Sequence, residues 1–294
     1  MLNIENIRAG VSQCLVTAGT TYRSDQVKVY KAAIEKETSK NARWVLERLV
    51  ENAEVAERRG FPLCDDTGIP HVIVEIGDDA TLPAGWLSAI HEGIARGLRT
   101  MPGRPMAVKG DDIERVEQSK GLSDEPDDVL AVPVITKPVP GDKLSVTVLL
   151  LGGGPEIRAK TYRVFHKRSI KKVLEEGASW MASEVKSLGC TPSVIAIGVG
   201  RSHVEASMRM LEAMKNGDLR KQSSWEQKVT DIVNAEKAGA LGLGGDFSAL
   251  GTFINIGPLR ASGVRIVCAR PCCCVEPRRS TVSFDQTGAV TTIG

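Results

Sequence analysis

No apolar stretch of this sequence approaches the roughly 20 residues that span a bilayer. The first residues, Met1-Leu2-Asn3-Ile4-Glu5-Asn6, lack the basic and then apolar order of a secretory leader. Both absences lead to the expectation of a cytoplasmic protein without a membrane partner, in a compartment where thiols stay reduced. Aromatic residues are only 4% of the chain and form no strip with basic ones, so the stacking platforms of a single-strand nucleic-acid binder are missing. An excess of either charge is also lacking, since 38 basic residues meet 36 acidic ones for a net +2. On those two counts no nucleic acid is expected as a partner. Zinc spacing is absent as well: no C-x2-C pair is matched by a second, and His71, His91, His166 and His203 fall in no ligand motif.

What is present is a chain of 294 residues, 42% hydrophobic, enough for the core of one large domain or two smaller ones. Val45, Leu49, Ala53 and Ala56 recur at helical spacing within 41–60, and Gly60 and Pro62 end that run. Residues 84–99 repeat the pattern with Leu87, Ile90, Ile94 and Leu98. Between the two helices, 71–76 predicts a short strand. The polar, acid-rich stretch 111–128 reads as an exposed loop. The β-rich runs 129–135 and 144–151 flank Pro140-Gly141-Asp142, a hairpin-like signal, and a three-glycine turn at 152–154 follows. Residues 169–188 predict an amphipathic helix closed by Gly189, and 193–199 a strand. Ser202 and Glu205 have the spacing of a capping box at the next helix. A further helix from Trp225 leads to a glycine-rich stretch at 239–251. Strand-like runs at 252–256 and 264–268 come before a cysteine cluster. The predicted fold class is mixed α/β (α+β): a helix-rich part, 1–110, then a β-rich part, 129–294, with mixed sheet and flanking helices.

Three places hold residues that could carry chemistry. Pro62-Leu63-Cys64-Asp65-Asp66-Thr67-Gly68 sets a cysteine beside two carboxylates, which raises a thiol's pKa unless a cation reverses the effect. Its plainer reading is a loop cysteine next to a turn-forming acidic pair. In Gly189-Cys190-Thr191-Pro192 the cysteine follows a helix and leads into a buried strand, where a structural role is the commoner one. Cys268-Ala269-Arg270-Pro271-Cys272-Cys273-Cys274-Val275-Glu276-Pro277-Arg278-Arg279 puts three adjacent cysteines among three arginines. Neighbouring side chains diverge, so only one of the three is expected to reach a given metal, while others fill the core. Arginines there suit bidentate recognition of a carboxylate. Three single cysteines far apart in sequence fit a cluster assembled by the fold, with one iron left open.

These residues carry a resemblance. The segment Cys64 to Gly68 resembles the C-Q-D-T-G motif of class I fumarases and L-tartrate dehydratase alpha subunits. Cys190-Thr191-Pro192 through Gly200 resembles their C-P-P-x-x-x-G-V-G-I-G stretch, and Cys274 to Arg279 their C-W-A-x-R-R ending. Pro140-Gly141-Asp142, Gly152-Gly153-Gly154 and the glycines of 241–251 match further signatures in the same order. The likeness runs from about residue 40 to 285, and the motifs are specific as a set.

The resemblance implies a [4Fe–4S] cluster held by Cys64, Cys190 and Cys274, with Cys272 as the alternative third ligand if the register shifts by two. It places Asp66 on the family's active-site aspartate. Asp65, Thr67, Arg104 and Arg278 become substrate-binding candidates, with a solvated loop charge as the plainer reading of Arg104. The implied reaction is reversible dehydration of a 2-hydroxy (di)carboxylic acid. In the family a second domain or subunit supplies a threonine base. The implied partner is therefore a separate beta subunit, in a heterodimer or heterotetramer. Two departures stand out: Asp65 replaces the family's glutamine, and Arg260 and Ser262 occupy the neighbourhood of a family histidine. Both lie near the expected substrate pocket and weaken an assignment to fumarate or tartrate in particular, and the missing histidine supports a rival reading as a non-catalytic iron–sulfur or scaffold subunit. A zinc-binding version of the fold is a second rival.

Overall fold

The computed structural model describes residues 1–101 and 103–293. In chain order these form α1 (Ile4–Thr20), α2 (Ser24–Lys36), α3 (Lys40–Arg59), β1 (Ile69–Gly77), α4 (Trp86–Thr100), α5 (Asp112–Glu117), β2 (Ile135–Val139) and β3 (Leu144–Leu151). There follow α6 (Gly153–Glu156), β4 (Lys160–Phe165), α7 (Ile170–Leu188), β5 (Ser193–Gly200), α8 (His203–Asn216) and α9 (Ser224–Asn234). The remaining strands are β6 (Ala249–Ile256), β7 (Val264–Cys272), β8 (Arg278–Phe284) and β9 (Val290–Ile293). The mixed class holds, with an N-terminal helical part and a β-rich C-terminal part. The contacts divide the chain into two units that alternate along it: 1–23, 53–152 and 278–294 form the first, and 24–52 with 153–277 the second.

The first unit is built on a five-stranded sheet in the order β2-β1-β3-β8-β9. Alternation along β3 decides its two faces. Leu144, Val146, Val148 and Leu150 enter the core with Val11, Leu15, Ile90, Leu98 and Phe284, which come from α1, α4 and β8. The intervening Ser145 and Thr147 sit opposite Ser283 and Thr281. Each hydroxyl pair is 2.8 Å apart, so the polar side chains of this face satisfy one another.

The second unit holds a four-stranded sheet, β4-β7-β5-β6. Strand β5 is buried along its whole length, as its unbroken apolar sequence requires of a strand covered on both faces. Ile195, Ile197 and Val199 pack with Val173, Met181, Val229 and Val233 of α7 and α9. Gly198 faces the other way, where a Cβ would come within 2.1 Å of the Ala206 carbonyl and 2.2 Å of the Met210 amide. Only glycine lets α8 lie this close to the strand.

Five local expectations change in whole or in part. Strands β2 and β3 do not form a hairpin: β1 lies between them, parallel to β2 and antiparallel to β3. The apolar run before Ile135 is not strand; pairing begins where β1 offers a partner. The acidic stretch 111–128 contains α5, whose N-terminus has a full capping box between Asp111 and Glu114. The three-glycine segment is not a plain turn, since α6 starts at Gly153. At α8 the Ser202 hydroxyl accepts the Glu205 amide as expected. The Glu205 carboxylate, however, accepts the backbone and side-chain N–H groups of Arg201 instead of closing the box.

Candidate functional site

In the first unit the loop 61–68 leaves α3 and enters β1. The Leu63 amide donates to the Gly19 carbonyl at 2.9 Å, which fixes the loop where Cys64 begins it. The Cys64 thiol lies 3.5 Å from Asp65 Oδ1. Asp66 closes an Asx turn, its Oδ1 accepting the Gly68 amide at 2.9 Å. Thr67 is buried, and its hydroxyl donates to the Arg104 carbonyl at 2.9 Å. The structure thus brings Asp65, Asp66, Thr67 and Arg104 together in one neighbourhood. Arg104 and Asp65 face each other at 3.6 Å with both side chains largely in solvent, so this pair contributes little to stability.

Arg278 completes that neighbourhood. It is 2% exposed, and its Nη1 donates to the Asp66 carbonyl at 2.7 Å. Its Nε has no hydrogen-bond partner, and no carboxylate pairs with it among the described residues. A guanidinium so buried without a counter-ion calls for an anion. Gly68 makes room for it: at φ +77° it adopts the left-handed backbone, and a Cβ there would lie 2.5 Å from Arg278 Nη2.

In the second unit the sheet itself joins two cysteines. Strand β7 runs antiparallel to β5 with Val194 opposite Cys272. The residues before β5 and after β7 therefore meet at the same sheet end, and the Cys274 amide donates to the Cys190 carbonyl at 2.8 Å. Strand β6 starts at that end too. The Leu241 amide reaches the Thr191 carbonyl at 3.0 Å, and the Gly242 amide reaches the Thr191 hydroxyl at 3.2 Å. From α2, Tyr30 Oη donates to the Cys274 carbonyl at 2.6 Å and Gln26 Nε2 to the same atom at 3.3 Å. Tyr30 and Gln26 are not legible in the sequence as site residues, because a tyrosine and a glutamine in a helix carry no signal of what they will meet.

The three neighbouring cysteines have different surroundings. Cys272 is fully buried with its sulfur 3.5 Å from Met214 Sδ and 3.7 Å from Arg270 Nη1. Burial pushes its thiol pKa far up, and Arg270 offsets that only in part. Cys268 is likewise raised by burial and packs on Met210. Cys273 and Cys274 retain slight exposure, at 7% and 8%. Arg270 is not available to a ligand: it pairs with Glu276 at 2.6 Å, and both side chains are fully buried. Burial by itself would lower the Arg270 pKa, and Glu276 more than restores it. Of the arginines placed by sequence among those cysteines, Arg270 is thus already neutralised and Arg278 is not.

Cys190 and Cys274, joined through that backbone bond, are soft donors of the type that suits iron and sulfide. Within each unit, no group of three or more His, Cys, Asp or Glu side chains among the described residues stands ready to hold a metal ion.

Residues 8–283 match the family model described as fumarate hydratase (Fumerase). A putative L(+)-tartrate dehydratase subunit alpha of Methanocaldococcus jannaschii is 25% identical over 246 residues, which cover 80% of this chain and 83% of that protein. Fumarate hydratase 2 of Leishmania major is also 25% identical, over 240 residues covering 74% of this chain. The match takes in only 40% of the Leishmania protein, so the chain spans less than half of that relative's length.

Proposed function

Because this chain belongs to the fumarate hydratase (Fumerase) family, we propose that it is the alpha subunit of a [4Fe–4S]-dependent hydro-lyase acting on a 2-hydroxy (di)carboxylic acid. The observation that carries the reading is Arg278, a buried guanidinium without a counter-ion among the described residues, hydrogen-bonded to the backbone of the Asp66 turn. A substrate carboxylate is the anion that chemistry of this family would bring to it.

Cys64, Cys190 and Cys274 are the proposed cluster ligands. The backbone bond between Cys274 and Cys190 supports Cys274 as the third, and the packing of Cys272 on Met214 argues against the alternative. Such a cluster, when bound through three thiolates, supplies an open iron that acts as a Lewis acid on a hydroxyl. The other roles belong to the chain itself. Arg278 holds one carboxylate, and Arg104, exposed beside Asp65, is placed to meet a second or to steer its approach. Asp66, fixed by the Gly68 amide, positions the substrate hydroxyl or relays its proton. The base that takes the proton alpha to a carboxylate comes from a beta subunit, as the tartrate dehydratase relative's designation as a subunit alpha suggests.

The test is turnover by the anaerobically reconstituted chain, with and without a co-expressed beta subunit, on malate, tartrate and related 2-hydroxy acids. The proposal expects dehydration of at least one diacid only when both subunits are present. A reconstituted cluster with no turnover on any of them, partner included, would favour the non-catalytic scaffold instead.

A further inference from the structure

The second unit contains a cavity of about 450 Å³ that the reading above does not use. Its walls are Val173 and Leu174 of α7, Val199 of β5 and Leu259 of the loop before β7, with Ile170 and Ile256 at the mouth. Ile170, Ile256 and Leu259 are each more than two-fifths exposed, an unusual amount of aliphatic surface to leave in water at one spot. The rim is of one charge. Arg168 and Arg265 line it, and among the described residues no acidic side chain lines it.

The rim is also held in place. Lys167 and Arg168 are consecutive non-glycine residues with left-handed backbone, at φ +45° and +55°. The Arg168 amide donates to His166 Nδ1 at 2.9 Å, which makes that nitrogen an acceptor. His166 Nε2 therefore carries the proton and donates to the Ser262 carbonyl at 2.8 Å. Arg265 Nη1 is occupied by the carbonyls of Ser262 and Val264 at 3.2 and 3.0 Å, which orients the guanidinium and leaves its other N–H groups without partners among the described residues. A sparsely populated backbone held by such bonds is an arrangement that ordinary packing does not demand. Helix α7 begins at the same mouth with Ser169 as its N-cap, adding the positive end of a long helix to the two guanidiniums.

We propose that this cavity binds an amphipathic monoanion, an aliphatic chain ending in a carboxylate, with the chain against the leucine and valine walls and the carboxylate at Arg168 and Arg265. The volume and lining are those of a small-molecule pocket, apolar with few oriented polar groups. A hydroxy diacid would have to desolvate its second carboxylate against hydrocarbon, so the cavity selects against the substrate class proposed above. The inference does not depend on the hydro-lyase reading, and its readout is binding and not turnover.

The test is calorimetric titration of the full chain with octanoate, alongside octanol and malate. Octanoate is expected to bind saturably with one site per chain, and octanol and malate at least tenfold more weakly. Two variants separate the site from general stickiness. Arg265→Met removes a rim cation, and Ile170→Glu puts a negative charge at the mouth on the first residue of α7, where a helix tolerates it well. Both should weaken octanoate at least tenfold while the thermal transition stays where it was. Equal binding of octanol, equal binding of malate, no saturable binding, or unchanged affinity in a folded Ile170→Glu chain would each overturn the proposal.

Discussion

Two arginines eight residues apart, Arg270 and Arg278, look alike in the sequence and have opposite fates. Arg270 spends its charge on Glu276, and both are fully buried. Arg278 has the Asp66 carbonyl and, among the described residues, no carboxylate. Glu276→Gln should therefore destabilise the second unit, as read from chemical denaturation, by less than the about 3–5 kcal/mol of a fully uncompensated buried charge, since Glu156 still reaches Arg270 Nε at 3.3 Å. Arg278→Lys retains the charge but not the planar fork. It should lower kcat/KM for the diacid about tenfold to hundredfold, equivalent to roughly 1.5–3 kcal/mol for a charge-assisted hydrogen bond, with the cluster's visible spectrum unchanged. Residue identity told of arginines that could hold carboxylates. It could not tell which one a glutamate six residues away would neutralise, because that depends on the turn after β7 folding Glu276 back onto Arg270.

At the scale of elements, the long amphipathic runs were legible and their pairing was not. The helices at 40–59, 86–100 and 170–188 follow from apolar spacing with glycine or proline stops. The supposed hairpin failed because a strand's partner is chosen by the whole sheet, and β1, which ends at Gly77, well before β2 begins at Ile135, takes the place between β2 and β3. Gly198 shows the same dependence on a distant element. Gly198→Ala would drive a Cβ into the α8 backbone, costing about 1–3 kcal/mol by the overpacking rule, measured as a lowered denaturation midpoint. The start of α8 also gives a pH prediction. Hydrogen bonds from Arg201 hold the Glu205 carboxyl down from its ordinary 4.5 to about 2. A depressed carboxyl stabilises above its unfolded pKa, so this contribution is complete above about pH 4.5 and is lost as pH falls through about 2. Protection from hydrogen exchange at the first turn of α8, relative to the intrinsic rate at each pH, should fall across that window, and Glu205→Gln should remove the dependence.

At the scale of the whole molecule, the motifs were legible because each occupies one loop. Cys64 to Gly68 is a loop into β1, Cys190 to Pro192 a loop into β5, and Cys273 to Pro277 the turn out of β7. The chain alternates between its two units, and the division was invisible in composition, since no linker-like stretch marks any crossing. Short α2 is the clearest case: it belongs with residues 153–277, and its Tyr30 and Gln26 hold the Cys274 carbonyl from more than two hundred positions away. Sequence periodicity reports which face of a helix is apolar and is silent about the polar atom that a buried tyrosine will reach. The family match over 8–283 takes in all of these dispersed loops. The claim most in need of a direct test is the ligand set. Iron and acid-labile sulfide should be measured, with an anaerobic visible spectrum, after reconstitution of the native chain and its Cys64→Ser, Cys190→Ser, Cys274→Ser and Cys272→Ser variants. About four of each per native chain are expected, with loss in the first three variants and retention in Cys272→Ser. Normal cluster content in Cys274→Ser with loss in Cys272→Ser would contradict the assignment, and no iron in the native chain would contradict the hydro-lyase reading itself.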